Sequence, residues 1–350
     1  MKFFIFFYLF CLTLTAQVSN FWDVEAPQDF IFDGGIMYYV AQGIGSTGGF
    51  VAKVDFSEPT PTATYLVNNI TYPRAIIFDD NYIYYALSFQ IFKIPKNDTS
   101  PVPILVCSGV SNPRALHLKN SELYMAEGDK ISKINIADAN PVKVNLVTGL
   151  TDFPLSFSEY NNELYYSHGL KVSKIDFGTN SPTVTDVITN LDSRVYGMDF
   201  NDNFLYIDQT FIGGARKFLE VDILNLNTVE IPVNLPYLSG LGLKFKDGDL
   251  YFASAPADKI YKLENVSVLS INNFIVEENT LKIFPNPTLD YFSIANLKKT
   301  KNYKLFDLNG RLVAFGKISP FKNKISINNL SKGIYALILD GSQRFKIIKK

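Results

Sequence analysis

One short pattern recurs six times between Gln28 and Glu264, and it limits the fold more than any other stretch. Each copy carries an apolar-aromatic step ending in a tyrosine: Tyr39, Tyr84, Tyr124, Tyr165, Tyr206 and Tyr251, at intervals of 45, 40, 41, 41 and 45 residues. A second register, Lys53, Lys93, Lys133, Lys174, Glu220 and Lys262, recurs at 40, 40, 41, 46 and 42. Periods of this length mark stacked or radially repeated units.

Each copy begins with an apolar-alternating strand, turns at Asp, Asn, Ser or Gly, and returns in a second strand ending at the tyrosine, as in residues 73–84 and 113–124. This is hairpin chemistry. A third strand surrounds Phe92-Lys93-Ile94 or Ile131-Ser132-Lys133-Ile134, and a fourth reads Ile104-Leu105-Val106 or Asn145-Leu146-Val147. No ten-residue window in this region has helical periodicity. Four strands taken six times predict an all-β chain, a six-bladed β-propeller.

Counting back 11 residues from each tyrosine lands on Gln28, Pro73, Pro113, Pro154, Val195 and Gly240. Three positions further come Ile31, Ile76, Leu116, Phe157, Met198 and Leu243, all apolar and expected between blades. Closing the ring needs a strand from one terminus. Phe21-Trp22-Asp23-Val24 has the right spacing and is favoured over residues 266–269.

Charge divides the chain. Residues 281–350 hold 14 Lys and Arg against 3 Asp and Glu, a balance of +11, which leaves 19 against 31, or −12, for residues 1–280. A shift that sharp marks a domain boundary. The basic residues follow β-like alternation without stacking aromatics, so a solvated face is expected rather than nucleic-acid binding. At the other end, Lys2 followed by an apolar run over residues 3–14 reads as a secretory signal peptide (1–16), too short for a permanent transmembrane segment. With Cys11 inside that run, Cys107 remains as a single thiol, and the exported part is expected to be held by its core without a disulfide. The expected organisation is a signal peptide, a propeller over 17–270, a linker over 271–280 and a small domain over 281–350.

Two resemblances refine this. The repeats, with Leu123-Tyr124-Met125-Ala126 and Leu250-Tyr251-Phe252-Ala253, resemble those of the NHL and TolB-like six-bladed propellers, a likeness specific for fold and weak for function. The tail carries Leu281-Lys282-Ile283-Phe284-Pro285-Asn286-Pro287, then Leu308-Asn309-Gly310-Arg311, then Gly333-Ile334-Tyr335, and a strand ending in Lys349-Lys350. It resembles the C-terminal sorting domain of the type IX secretion system of Bacteroidetes, with Pro285, Asn286, Pro287, Gly333 and Tyr335 as its motif. Phe284 and Ser331-Lys332 depart mildly from that pattern. The resemblance implies an Ig-like β-sandwich, the secretion machinery as partner, and a cargo that is secreted or displayed on the outer-membrane surface. An ordinary adhesive Ig-like domain is the alternative.

Candidate ligand-binding positions follow from the repeat frame. One ring lies three residues after each tyrosine: Gln42, Leu87, Glu127, His168, Gln209 and Ser254. The other follows each hairpin anchor: Asp29, Arg74, Arg114, Leu155, Tyr196 and Leu241. These positions vary in chemistry where the core positions do not. Arg74 and Arg114, both in Pro-Arg-Ala contexts, can jointly hold a carboxylate or phosphate; alternatively each pairs with a carboxylate of a neighbouring blade or faces solvent. A small molecule, glycan or protein over the channel is the expected ligand, with Arg74, Arg114, Glu127, His168 and Gln209 foremost.

No cofactor is expected. A calcium-dependent, lactonase-like hydrolase is the enzymatic alternative, with Asp29, Glu127 and Asp208 as metal ligands. His168 is a possible base without a matching nucleophile, His117 and Cys107 are expected to be structural, and Asp79–Asn81 and Asn201–Asn203 are expected to be turns. Gly43, Gly45 and Gly48 match the letters of a dinucleotide fingerprint, but no helix is expected after them. No catalytic residue is assigned.

Overall fold

The computed structural model describes residues 17–43, 48–177, 180–211, 216–231, 233, 242–264, 266, 281–295, 297, 300–340 and 343–350. The expected signal peptide, residues 271–280, Gly45, Gly240, Leu241 and residues 267–269 lie outside these. The chain divides into two compact units, Met1–Ser270 and Ile271–Lys350.

Among the described residues the first unit contains six four-stranded antiparallel sheets. Their innermost strands are Pro27–Asp33, Ala75–Phe78, Ala115–Lys119, Pro154–Tyr160, Arg194–Asn201 and Leu243–Lys246. Each innermost strand lies against the next, and the sixth returns to the first, so the sheets close into a ring as blades 1 to 6. The sixth blade borrows its outermost strand from the N-terminal side. Val18–Asp23 pairs antiparallel with Lys259–Leu263, Val18 opposite Leu263 and Trp22 opposite Ile260. Blade 6 is thus tied by both ends of the repeat region, as the spacing of residues 21–24 favoured.

The turns follow from their residues. Asn120 and Ser121 (φ 49° and 62°) and Asn161 and Asn162 (φ 49° and 63°) occupy the left-handed region in pairs, and Asp247 (φ 53°) precedes Gly248 (φ 91°). Two successive positive φ values suit the two-residue turn that matches strand twist, and Asn, Asp and Gly tolerate it best. Asp79 Oδ1 accepts from the Asn81 and Tyr82 amides at 2.8 and 2.7 Å, so that acidic pair is a turn.

The repeat tyrosines are buried between blades, at 1–7% exposure. Tyr84 meets Leu123 and Met125, Tyr124 meets Leu164 and Tyr166, and Tyr206 meets Leu250 and Phe252, each facing the following blade. The lysine register lies directly across the hairpin: Tyr84 opposite Lys93, Tyr124 opposite Lys133, Tyr165 opposite Lys174. Glu220 is the exception with a reason. It faces Tyr206, whose hydroxyl donates to Glu220 Oε2 at 2.8 Å, and burial with this carboxylate pushes the phenol far above its ordinary pKa.

The first copy departs from the expected register. Lys53 lies opposite Tyr38, and Tyr38 faces blade 2 beside Ile83 and Tyr85. Tyr39 instead faces blade 6 with Tyr251 and Phe30. The equivalent residues of blade 1 are therefore Pro27, Phe30 and Tyr38, one earlier than Gln28, Ile31 and Tyr39. A one-residue slip in a strand exchanges its two faces.

The second unit holds a three-stranded sheet (Lys282–Phe284, Tyr291–Ala295, Lys324–Ser326) and a four-stranded sheet (Leu312–Ile318, Lys301–Asp307, Gly333–Leu339, Gln343–Lys349). Phe292, Ile294 and Ile325 of one sheet and Leu305, Leu337 and Ile347 of the other form its buried core, a sandwich arrangement. Asn286 stitches the Pro-Asn-Pro segment to the last strand. Its Nδ2 donates to Lys346 O at 2.6 Å and its Oδ1 accepts from Ile348 N at 2.8 Å. Tyr335 is buried, with its hydroxyl on Ser331 O at 2.6 Å.

Candidate functional site

The innermost strands all begin at the same end of the ring, so the residues that open them share one mouth of the channel. With the corrected register, blade 1 contributes Gln28 there instead of Asp29. Gln28 Oε1 accepts from Arg74 Nη1 at 3.2 Å. Asp29 turns aside and joins two blades, accepting from Phe30 N at 2.9 Å and Ile76 N at 3.0 Å. Asp199 of blade 5 likewise joins its neighbours, accepting from Phe245 N of blade 6 at 2.9 Å and Ser158 Oγ of blade 4 at 3.2 Å. Burial holds both carboxyls above the ordinary range, and the Lys244 charge partly opposes it. Burial lowers the His117 pKa, the Glu159 carboxylate opposes this, and the Lys244 charge adds to the lowering.

Arg74 and Arg114 are half-buried neighbours at this mouth. Burial lowers the pKa of both, and the Arg114 charge lowers that of Arg74 further. The Tyr196 phenol of blade 5 partly opposes the lowering at Arg114. Neither arginine makes an ion pair among the described residues, although most other charged groups near the blades do. Residues 44–47, 212–215 and 234–241 contain no Asp or Glu. Arg74 Nε is buried without a hydrogen-bond partner. The Asn112 amide, oriented with its oxygen toward the guanidinium, accepts from Arg114 Nε at 3.3 Å and Nη2 at 3.0 Å. Two like charges held together half out of water favour an anion between them.

The residue before the opening proline is left-handed in the first three blades, Ala26 (φ 45°) included. Tyr72 and Asn112, each followed by Pro and Arg, both have φ 50°. A left-handed conformation is tolerable for Asn but strained for Tyr, and proline restricts the residue before it. The Tyr72 ring lies 5.8 Å from the Arg74 guanidinium carbon. Sequence reasoning found the arginines and missed Gln28 and Lys244, as well as Tyr72 and Asn112, for which the shared x-Pro-Arg context was the available signal.

The other candidates have partners of their own. Glu127 is fully buried, accepting from Ser111 N at 2.6 Å and from Ser132 Oγ, with Lys143 Nζ at 3.0 Å. Gln209 is buried and donates to Ser193 O at 2.8 Å, while its Oε1 has no partner. His168 Nε2 lies 2.9 Å from Ser173 Oγ, which donates to Asp186 Oδ1 at 2.7 Å. Ser173 is wholly buried and its proton is committed to the carboxylate, so the trio does not present a nucleophile. Burial lowers the His168 pKa. His117 pairs with Glu159 at 3.1 Å. Burial raises the Cys107 thiol to about 11, which favours an inert, packed role.

The proposed calcium ligands go separate ways. Asp208 forms a two-point pair with Arg216, while Asp29 and Glu127 have the partners given above. No group of three His, Cys, Asp or Glu among the described residues is disposed to hold a metal ion. No helix among them is long and apolar enough to cross a membrane.

No curated protein matches the chain in sequence. Among solved structures, a luciferin-regenerating enzyme is similar at TM-score 0.54 and 12% identity, over 72% of this chain and 96% of the other. Virginiamycin B lyase from Staphylococcus aureus is similar at 0.52 and 14%, over 71% and 99%. A calcium-binding protein, regucalcin, from Agrobacterium tumefaciens is similar at 0.52 and 12%, over 69% and 90%. At these identities the likeness concerns the fold. Residues 282–350 match the family model described as a secretion system C-terminal sorting domain. The protein is therefore a β-propeller that carries a type IX secretion system C-terminal sorting domain as its tail.

Proposed function

We propose that this is an exported binding protein whose propeller takes an anionic ligand at the channel mouth, between Arg74 and Arg114. The sorting tail implies export to the cell surface or extracellular space. In this reading residues 1–16 direct passage through the inner membrane, and the secretion machinery recognises the tail. One observation carries the ligand assignment: two adjacent, half-buried guanidinium groups lack a carboxylate partner among the described residues. Elsewhere the propeller neutralises its buried arginine with Asp208, so the mouth departs from the protein's own practice.

Thermal denaturation with acetate or phosphate tests this. A ligand at about one hundred times its dissociation constant stabilises by about 2.7 kcal/mol, and the double variant Arg74→Ala/Arg114→Ala should lose that stabilisation. A shift that survives in the double variant places the anion elsewhere.

A further inference from the structure

We propose that the anion taken at the mouth is a planar carboxylate borne on an apolar or aromatic group, seated on the unpartnered Nε side of Arg74 with the Tyr72 ring against its apolar part. This rests on the anion-binding reading above and narrows it.

The molecule contains its own template. Arg216 Nε donates to Asp208 Oδ1 at 2.7 Å and Nη2 to Asp208 Oδ2, while Nη1 donates to the neutral Ala253 carbonyl at 3.0 Å. The parallel Nε and Nη2 hydrogens match the two oxygens of a carboxylate. Arg74 repeats half of this arrangement. Its Nη1 is on a neutral oxygen, that of Gln28, and its Nε is buried and unpartnered. No carboxylate of a described residue takes the position that Asp208 takes on Arg216, and because Arg74 Nε is closed to solvent an acceptor reaches it only as the side chain shifts.

Arg114 does not offer a second such fork, because Asn112 accepts from its Nε and Nη2. It contributes charge and Nη1 alone. One fork with one further cation suits the two oxygens of a carboxylate better than the three of a phosphate.

The surroundings describe the rest of the ligand. The Arg216 guanidinium lies 5.4 Å from the Phe218 ring and 4.7 Å from the Phe252 ring. Arg74 has only Tyr72, its ring at 5.8 Å, and that residue is 41% exposed. Phe89, 68% exposed, sits on the loop whose Ser88 carbonyl accepts from Asn112 N at 2.7 Å. The left-handed turn recurs at Ala26 and Asn112 and belongs to the repeat, so it is the exposed Tyr72 side chain beside Arg74 that bears on a ligand.

Calorimetric titration of the full-length exported chain with 3-phenylpropionate, 3-phenylpropionamide, acetate and inorganic phosphate tests the proposal. The aryl acid should bind about tenfold tighter than acetate or phosphate, and the amide should not bind. Tyr72→Asn, which suits the left-handed backbone, should bring the aryl acid to the level of acetate and leave acetate unchanged. Arg74→Lys keeps the charge and removes the fork, so it should weaken the carboxylates more than phosphate. A tetrapeptide ending in Phe, against 3-phenylpropionate, separates a chain end from a small acid as the source; tighter binding of either supports a carboxylate beside an apolar group. Phosphate binding tighter than the aryl acid, or an aryl acid no better than acetate, overturns this inference and leaves the anion reading standing. If no anion binds, both fall.

Discussion

Arg216 and Arg74 share a side chain, a low-polarity setting and a neutral partner for Nη1, yet they end differently. Arg216 lies in the seam between blades 5 and 6, wholly buried, with Asp208 on its fork and aromatic rings beside it. Arg74 lies at the mouth between blades 1 and 2, with its Nε buried and unpartnered and another cation close by. A propeller that only needed to fold would treat both alike. The difference separates a charge that completes the scaffold from a charge that is left for something else.

The largest effect should come from the completed side. Arg216→Ala leaves Asp208 buried and alone, and breaking such a pair costs about 3–5 kcal/mol. Denaturant unfolding near neutral pH measures it. Burial already raises the Asp208 pKa against the opposing Arg216 charge, and removing that charge raises it further. A carboxyl whose folded pKa is raised gives stability that is present below its unfolded value and lost as pH rises through the folded one. The deficit of Arg216→Ala should therefore shrink on acidification. A deficit that does not change with pH would mean that lost packing against Phe218 and Phe252, rather than stranded charge, dominates.

The two staple carboxylates give a smaller effect with the same sign. Asp199→Asn keeps an oxygen for the Phe245 amide and removes a charge that burial disfavours. The parent should lose stability relative to the variant as pH rises from the ordinary 3.8 through the raised folded value. The loss is about 1.4 kcal/mol for every tenfold by which burial weakens the acid. Parallel melting curves for the two proteins across that range decide it. Curves that do not diverge would show that Lys244 offsets burial completely.

Both sides of the comparison bear on how much could be read from sequence. The hairpin frame, its Asn and Asp turns and the closing strand were legible because period-two alternation and turn chemistry are local. So was Arg74 beside Arg114, since an identical tripeptide at the same place in successive copies puts both at one end of the ring. The register of the first copy was ambiguous because Tyr38 and Tyr39 are adjacent and either can serve as the repeat tyrosine; Lys53, opposite Tyr38, was the better guide. That slip placed Asp29 on the mouth when it belongs between blades. Asp208 looked like a metal ligand because its partner lies eight residues on, across a hairpin that pairs Thr210 with Arg216. The left-handed backbone at Tyr72 recurs before Pro27 and Pro113, so the x-Pro step at the same place in successive copies was the signal for it, although residue propensity at Tyr72 argues the other way.

The smallest expected effect makes the sharpest test of the comparison. Replacing Arg74 and Arg114 together by Ala removes no ion pair among the described residues. It loses one hydrogen bond to Gln28 and the contact with Asn112, each worth about 0.5–1.5 kcal/mol net. Against that, it removes the repulsion between two half-buried cations and relieves the unpartnered Arg74 Nε, a dehydrated donor of the kind that costs about 1–3 kcal/mol. These contributions oppose one another at similar size, so the double variant should unfold within about 1 kcal/mol of the parent, a fraction of the Arg216→Ala effect. Chemical denaturation without added anions, at low ionic strength, reads the balance. Added salt should narrow whatever gain the variant shows, because counterions screen the parent's two guanidinium charges. A loss of the size expected for Arg216→Ala would mean that both arginines are structural, and would break the contrast on which the binding site rests.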